Sequence, residues 1–229
     1  MSMRKNLRKI ITSQEQMSDA RLLNLIVIFS GGFQDAYTFV VRGRVFANAQ
    51  TGNLVLMSTH LLGGRWQQGL RYLFPVLAFM LGVFIADNIE HRFKHSKRMH
   101  WRQNIVFAEA VIMFVVGLLP QEYNMIANCM VSFACAMQLY SFKKINGNVY
   151  ASTMCIGNMK SFVIALSAYL RTKKGSDLSK TFNYFLVIVI FSIGAGIGGN
   201  FSEVFNEKTI WCSAVLLLIS FLMMELDRE

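Results

Sequence analysis

The sequence predicts an all-α integral membrane protein of six transmembrane helices and two re-entrant half-helices, arranged as a 3+3 inverted repeat. Three observations predict it. The 229 residues are 54% hydrophobic and only 16% charged, with a mean hydropathy of +0.39, too little charge to cover a soluble fold of this length. Apolar runs at 22–41, 70–89, 104–119, 125–142, 182–199 and 209–224 are each about long enough to cross a hydrocarbon core of roughly 30 Å at 1.5 Å per residue. Two shorter apolar pieces, each behind a glycine-bearing connector, recur at matching places in the two halves.

Taken in order, residues 1–21 form a basic arm carrying Arg4, Lys5, Arg8 and Lys9, suited to the cytoplasmic membrane surface and its anionic lipid. The apolar run behind it lacks a small-x-small cleavage site and reads as a retained first span. Residues 22–119 make the first membrane repeat and 120–229 the second, packed as one membrane domain. In the first, the connector 43–50 leads through Thr51-Gly52-Asn53 into a piece, 54–62, that ends at Gly63-Gly64 and is too short to cross. In the second, the connector 147–153 leads through Ile156-Gly157-Asn158 into 159–170. About eight extended residues at roughly 3.3 Å each reach the bilayer midplane, and a half-helix then returns the chain to the side it left. Such irregular backbone is tolerated only inside protein or along a water-filled cavity.

The repeat is visible residue by residue. At an offset of 104, Gln34 meets Gln138, Gly43 meets Gly147, Val45 meets Val149, Phe46 meets Tyr150 and Ala47 meets Ala151; a one-residue slip then aligns Gly52-Asn53 with Gly157-Asn158. Positive charge separates this topology from eight full spans. With an inside N-terminus and two re-entrant pieces, only Arg42, Arg44, Arg65, Arg71 and Lys208 of the 23 Lys and Arg lie outside. Eight full spans would put the basic loop over 92–102 outside. The positive-inside rule therefore selects six spans, with both termini cytoplasmic.

Several functions are excluded on the same footing. The net charge of +10 sits in loops with no nucleic-acid motif, so lipid and topology account for it. Cys129, Cys135, Cys155 and Cys212 form no CxxC pair, and read as small apolar side chains. His91 and His95 lie among Arg92, Lys94, Lys97 and Arg98, which would repel a metal ion. No nucleophile–base pair, metal set or phosphate loop is present, so neither an enzyme nor a cofactor is expected.

The segment Gly32-Phe33-Gln34-Asp35-Ala36, with Gly43 and Thr51-Gly52-Asn53, resembles the first-half signature of the YoaK-like family of small bacterial membrane proteins, which carry a domain of unknown function. Gln138 and the run from Tyr150 to Asn158 resemble its return motif. Ile156, Leu139 and Ala136 depart from that pattern, which weakens any role shared equally by both halves. The resemblance implies a multi-pass protein of the bacterial inner membrane and supplies no activity.

Asp35 is the sharpest candidate, because an ionised carboxylate at a span centre costs on the order of 2.5–3.5 kcal/mol on insertion scales. It reads either as a coupling or solute-contacting group, or as a hydrogen-bonded tie to a neighbouring helix or loop. Gln34 and Gln138 could line the same pathway or bond across helices. Thr51, Gly52, Asn53, Gly157 and Asn158 open the half-helices, whose N-termini carry free N–H groups and partial positive charge. Thr51 or Asn53 is placed to cap the first of them. Lys160 and Glu109 are secondary candidates. Gly194-Ala195-Gly196-Ile197-Gly198-Gly199 has small-xxx-small spacing for close helix packing, within the chain or in a homo-oligomer. The function these features point to is a small transporter or channel for a small polar solute or ion, with its site between the halves. The alternative is a non-transporting scaffold, sensor or assembly factor that docks a partner through its basic loops.

Overall fold

The computed structural model describes residues 21–93, 101–142, 144–145, 148–149 and 155–226. The basic arm over 1–20, the basic loop over 94–100, Gly147 and residues 150–154 of the return motif lie outside the described residues. Among the described residues, eight α-helices follow one another: α1 (Arg21–Val41), α2 (Gln50–Leu62), α3 (Trp66–Phe93), α4 (Trp101–Val116), α5 (Asn124–Ser141), α6 (Cys155–Thr172), α7 (Gly175–Phe205) and α8 (Ile210–Leu226). Between α5 and α6, β1 (Lys144–Ile145) pairs antiparallel with β2 (Asn148–Val149). Short 3₁₀ turns, Gln121–Tyr123 and Asn206–Thr209, precede α5 and α8.

The helix ends have local causes. Gly43 and Arg44 adopt φ of 84° and 61°, a left-handed turn that stops α1 and reverses the chain. Gly64 (φ 73°) does the same between α2 and α3. Six helices coincide with the six apolar runs. The shorter two differ from expectation in length: α2 has 13 residues, but α6 has 18, because Cys155 to Asn158 and the last turn to Thr172 extend the predicted piece at both ends.

Contacts fix the direction of each helix. Val27 lies beside Gln138 and Arg42 beside Asn124, so α1 and α5 are antiparallel. Gln34 meets Glu109 and Arg42 meets Val116, so α1 and α4 are parallel. The Phe114–Trp211 and Phe107–Phe221 ring pairs make α4 and α8 antiparallel. The two most extensive helix pairs are α1 with α7 and α3 with α5, both parallel and both built on glycine. A Cβ on Gly194 would lie 2.2 Å from the Phe29 carbonyl oxygen, and one on Gly82 would lie 2.4 Å from that of Phe133. Gly32 and Gly198 close the same α1–α7 crossing. The small-xxx-small stripe thus packs within the chain, where bare backbones approach closely.

After Gly43 the chain doubles back along α1. Asn48 reaches halfway down it, donating from its side chain to the Gly31 carbonyl (3.1 Å) and from its backbone to Asp35 Oδ1 (2.9 Å). From that level α2 returns to the C-terminal end of α1, where Leu61 covers Gly69 and His60 stacks on Tyr72 of α3. Cys155, the first residue of α6, lies within electrostatic reach of Asp35, and α6 departs toward the opposite end of α1.

The exterior is largely apolar, and the interior combines an apolar core with fully buried polar side chains. Leu62, Val55, Met80, Phe84, Val163, Leu170 and Val204 are exposed, while Gln34, Arg42, Glu109 and Gln138 are fully buried. That distribution suits a lipid solvent, in which only internal partners can satisfy polar groups. Among the described residues, two stretches meet the length and apolarity of a membrane crossing by themselves: Trp66–Phe93 and Gly175–Leu226. Polar residues in the centre of α1 and α5, such as Gln34, Asp35, Asn128 and Gln138, dilute the apolarity of those helices.

Candidate functional site

A buried polar constellation centres on Gln34 of α1. Its Nε2 donates to Ser213 Oγ of α8 (2.8 Å), to Ser30 Oγ one turn earlier (3.1 Å) and to Glu109 Oε1 of α4 (3.2 Å). Ser30 and Ser213 share a further hydrogen bond of 2.7 Å. On the other side of the amide, Gln34 Oε1 accepts from Cys135 Sγ of α5 at 2.8 Å. Four helices, two from each half of the chain, thus meet on one side chain. Glu109 Oε2 is buried with no hydrogen-bond partner among the described residues.

Asp35 belongs to a different arrangement. The backbone amides of Ala47, Asn48 and Ala49 converge on its carboxyl group, so it anchors the connector where that segment turns into α2. The positive N-terminal end of α2 already faces this carboxylate, and Cys155 at the start of α6 lies near it. Asn53 completes the anchor: its Oδ1 accepts from Phe46 N (3.0 Å) and its Nδ2 donates to Phe46 O (2.7 Å) and to Gln50 Oε1 (2.9 Å). Gly52 is needed because a Cβ there would press on the Phe46 ring at 3.1 Å.

At the far end of α1 the structure places Arg42, which charge counting assigns to an exterior loop, wholly inside the protein. Its guanidinium donates to Tyr37 Oη (2.8 Å), the Val116 carbonyl (2.8 Å), Asn124 Oδ1 (3.1 Å) and the Pro120 carbonyl (3.4 Å). Asn128 Nδ2 donates in turn to the Arg42 carbonyl at 2.7 Å. The cation thereby caps the negative C-terminal end of α4, where the Val116 carbonyl also accepts from Leu119 N at 3.1 Å.

The structure brings Gln34 and Glu109 together, sets Asp35 of α1 and Asn53 of α2 against the connector, and buries Gln138 and Asn158. Gln138 donates across to the Val27 carbonyl of α1 at 3.0 Å, while its Oε1 is buried without a partner. Two expectations need correction. Ala49, with no side-chain hydrogen bond, occupies the N-cap of α2, because Asn53 is turned toward Phe46 and Thr51 points outward. Lys160 is exposed and joins no part of the buried cluster. Ser30, Ser213, Cys135, Asn48 and Arg42 were not singled out by sequence reasoning. Serines are too common in apolar helices to stand out alone, and the only signal for Ser30 is its place one turn before Gln34.

Compared with family models, residues 23–223 match the one described as "Protein of unknown function (DUF1275)". Among curated proteins, the "UPF0700 transmembrane protein YoaK" of Bacillus subtilis (strain 168) is similar, at 23% identity over 205 residues, covering 86% of this chain and 89% of the relative. No solved structure matches.

Proposed function

The chain belongs to the DUF1275 family of transmembrane proteins, and from that premise we propose that it is a small transporter or channel for a small polar solute or ion. The reading is carried by one observation: a buried polar network centred on Gln34 joins α1 and α4 of one half to α5 and α8 of the other, with Glu109 Oε2 unpartnered beside it. A packed scaffold has no reason to leave a carboxylate oxygen bare in its centre, since each buried unsatisfied group costs about 1–3 kcal/mol or more if charged. A site that exchanges water or solute does.

The architecture proposed with it is six spans and two re-entrant helices in inverted halves. Its support is that the packing scheme maps onto itself when the halves are exchanged: α1 on α7 becomes α5 on α3, α2 on α3 becomes α6 on α7, and α1 on α8 becomes α5 on α4. The glycine crossings correspond as well, Phe29 under Gly194 answering Phe133 under Gly82, with the two phenylalanines at the offset of 104. The longer α6, roughly 27 Å at 1.5 Å per residue, begins near Asp35 rather than at a helix-bundle end, which favours a return over a crossing. Inverted repeats commonly place their site at the seam, between broken helices. An inner-membrane location with cytoplasmic termini follows from the charge distribution.

The test is a thermal-shift screen of small polar solutes and ions on the purified chain, since a ligand that binds only the folded state raises apparent stability, by about 2.7 kcal/mol at a hundredfold excess over Kd. At least one compound is expected to raise Tm in the wild type and not in Gln34→Leu or Ser213→Ala, and to cross the bilayer in proteoliposomes. A screen without shifts, together with liposomes tight to every solute tried, would overturn the reading and favour a scaffold.

A further inference from the structure

We propose that Glu109 is a proton-binding site that exchanges its proton through the Gln34 network, an inference that rests on the seam being the functional site. Glu109 is fully buried near the middle of α4. Its Oε1 has one neutral donor, Gln34 Nε2, and that donor is shared: an amide nitrogen carries two hydrogens, but three acceptors lie within reach, and Glu109 is the most distant at 3.2 Å. Its Oε2 has no hydrogen-bond partner among the described residues.

Neither protonation state completes this arrangement. An ionised Glu109 leaves a charge in the protein centre with no described cation beside it; the nearest buried one, Arg42, is spent on carbonyls two turns away at Val116. A neutral Glu109 leaves a hydroxyl with no acceptor. Asp35 shows the contrast, since the backbone amides of Ala47, Asn48 and Ala49 give its carboxyl several donors. Glu109 has the geometry of a group that is loaded and unloaded; Asp35 has that of a fixed anchor.

The ligand is a proton rather than a metal ion because of what faces the carboxyl. The Cys135 thiol donates to Gln34 Oε1, which fixes the amide so that its N–H groups, not its oxygen, point at Glu109. A metal cation would meet donors there. The two serine hydroxyls, 2.7 Å apart with either able to donate, can reverse direction as the proton arrives or leaves. The titratable neighbour is Cys135 on α5, whose thiol is electrostatically linked to Glu109 and, on its other side, to Asp35 of α1. Facing it from α8 is Ser213, which does not titrate in this range.

Infrared difference spectra of the full chain in lipid, titrated from about pH 5 to about pH 9, test the site directly. A carboxyl C=O band that shifts in D₂O is expected in the wild type and in Asp35→Asn, and is expected to vanish in Glu109→Gln. Glu109→Asp, which keeps a carboxyl, should restore a band at altered frequency and guards against loss through misfolding. A titrating band that survives in Glu109→Gln, or no protonated carboxyl at any pH, would overturn the proposal. Solute flux that is unchanged in Glu109→Gln, with no titrating band, would remove the proton site and leave the transport reading standing. A Glu109 band in a protein that moves no solute would do the reverse.

Discussion

Arg42 and Asn53 show how single side chains hold the irregular backbone in place. Replacing Arg42 with Met keeps the volume but strips the end of α4 and the Asn124 side chain of their donors. With hydrogen bonds to a charged group each contributing about 1.5–3 kcal/mol, this variant should lose about 3 kcal/mol or more in denaturation experiments. Arg42→Lys should recover only part, since one ammonium cannot span Tyr37, Val116 and Asn124. Asn53→Ala removes both partners of the Phe46 backbone and should cost about 2 kcal/mol, read as a lower Tm. Of these residues only Asn53 was legible in the sequence, through its recurrence as Asn158. Arg42 was hidden because an arginine just past an apolar run has the same appearance whether it meets water or carbonyls. Glu109 and Gln34 were each visible as polar residues in apolar runs, but that they touch depends on a contact 75 residues apart.

Helix packing in lipid gains nothing from burying apolar surface and depends on close contact instead. Two glycines two residues apart on α7 separate this effect from helix propensity. A Cβ on Gly194 would sit 2.2 Å from the Phe29 carbonyl oxygen, whereas one on Gly196 meets nothing within 4 Å. Gly194→Ala should therefore push α1 and α7 apart and destabilise by at least about 2 kcal/mol. Gly196→Ala should be neutral or slightly stabilising, as alanine favours helix over glycine. Thermal unfolding of both variants in the same detergent checks the pair. At this scale the sequence was most informative: apolar runs and glycine punctuation located all eight helices in order. The added length of α6 was not legible, because Cys155 and Ile156 look like connector when glycine follows them. Nor was the short β1–β2 ladder, which occupies a segment too polar to signal a strand.

For the molecule as a whole, the central claim is that the short helices α2 and α6 leave by opposite faces of the membrane. The offset-104 identities suggested it, and the packing scheme that survives exchange of the halves supports it. The seam site follows from that arrangement, since only inversion brings α1 and α4 against α5 and α8 at one depth. Single cysteines at Gly64 and Lys173, in a chain whose own Cys129, Cys135, Cys155 and Cys212 are replaced by Ser or Ala, report the two exits directly. With a membrane-impermeant thiol reagent on intact cells stripped of their outer barrier, the Gly64 position should label at once, and the Lys173 position only after permeabilisation. Labelling of both positions from the same side would mean that the short helices cross completely, and would contradict the inverted, re-entrant architecture and the site built upon it.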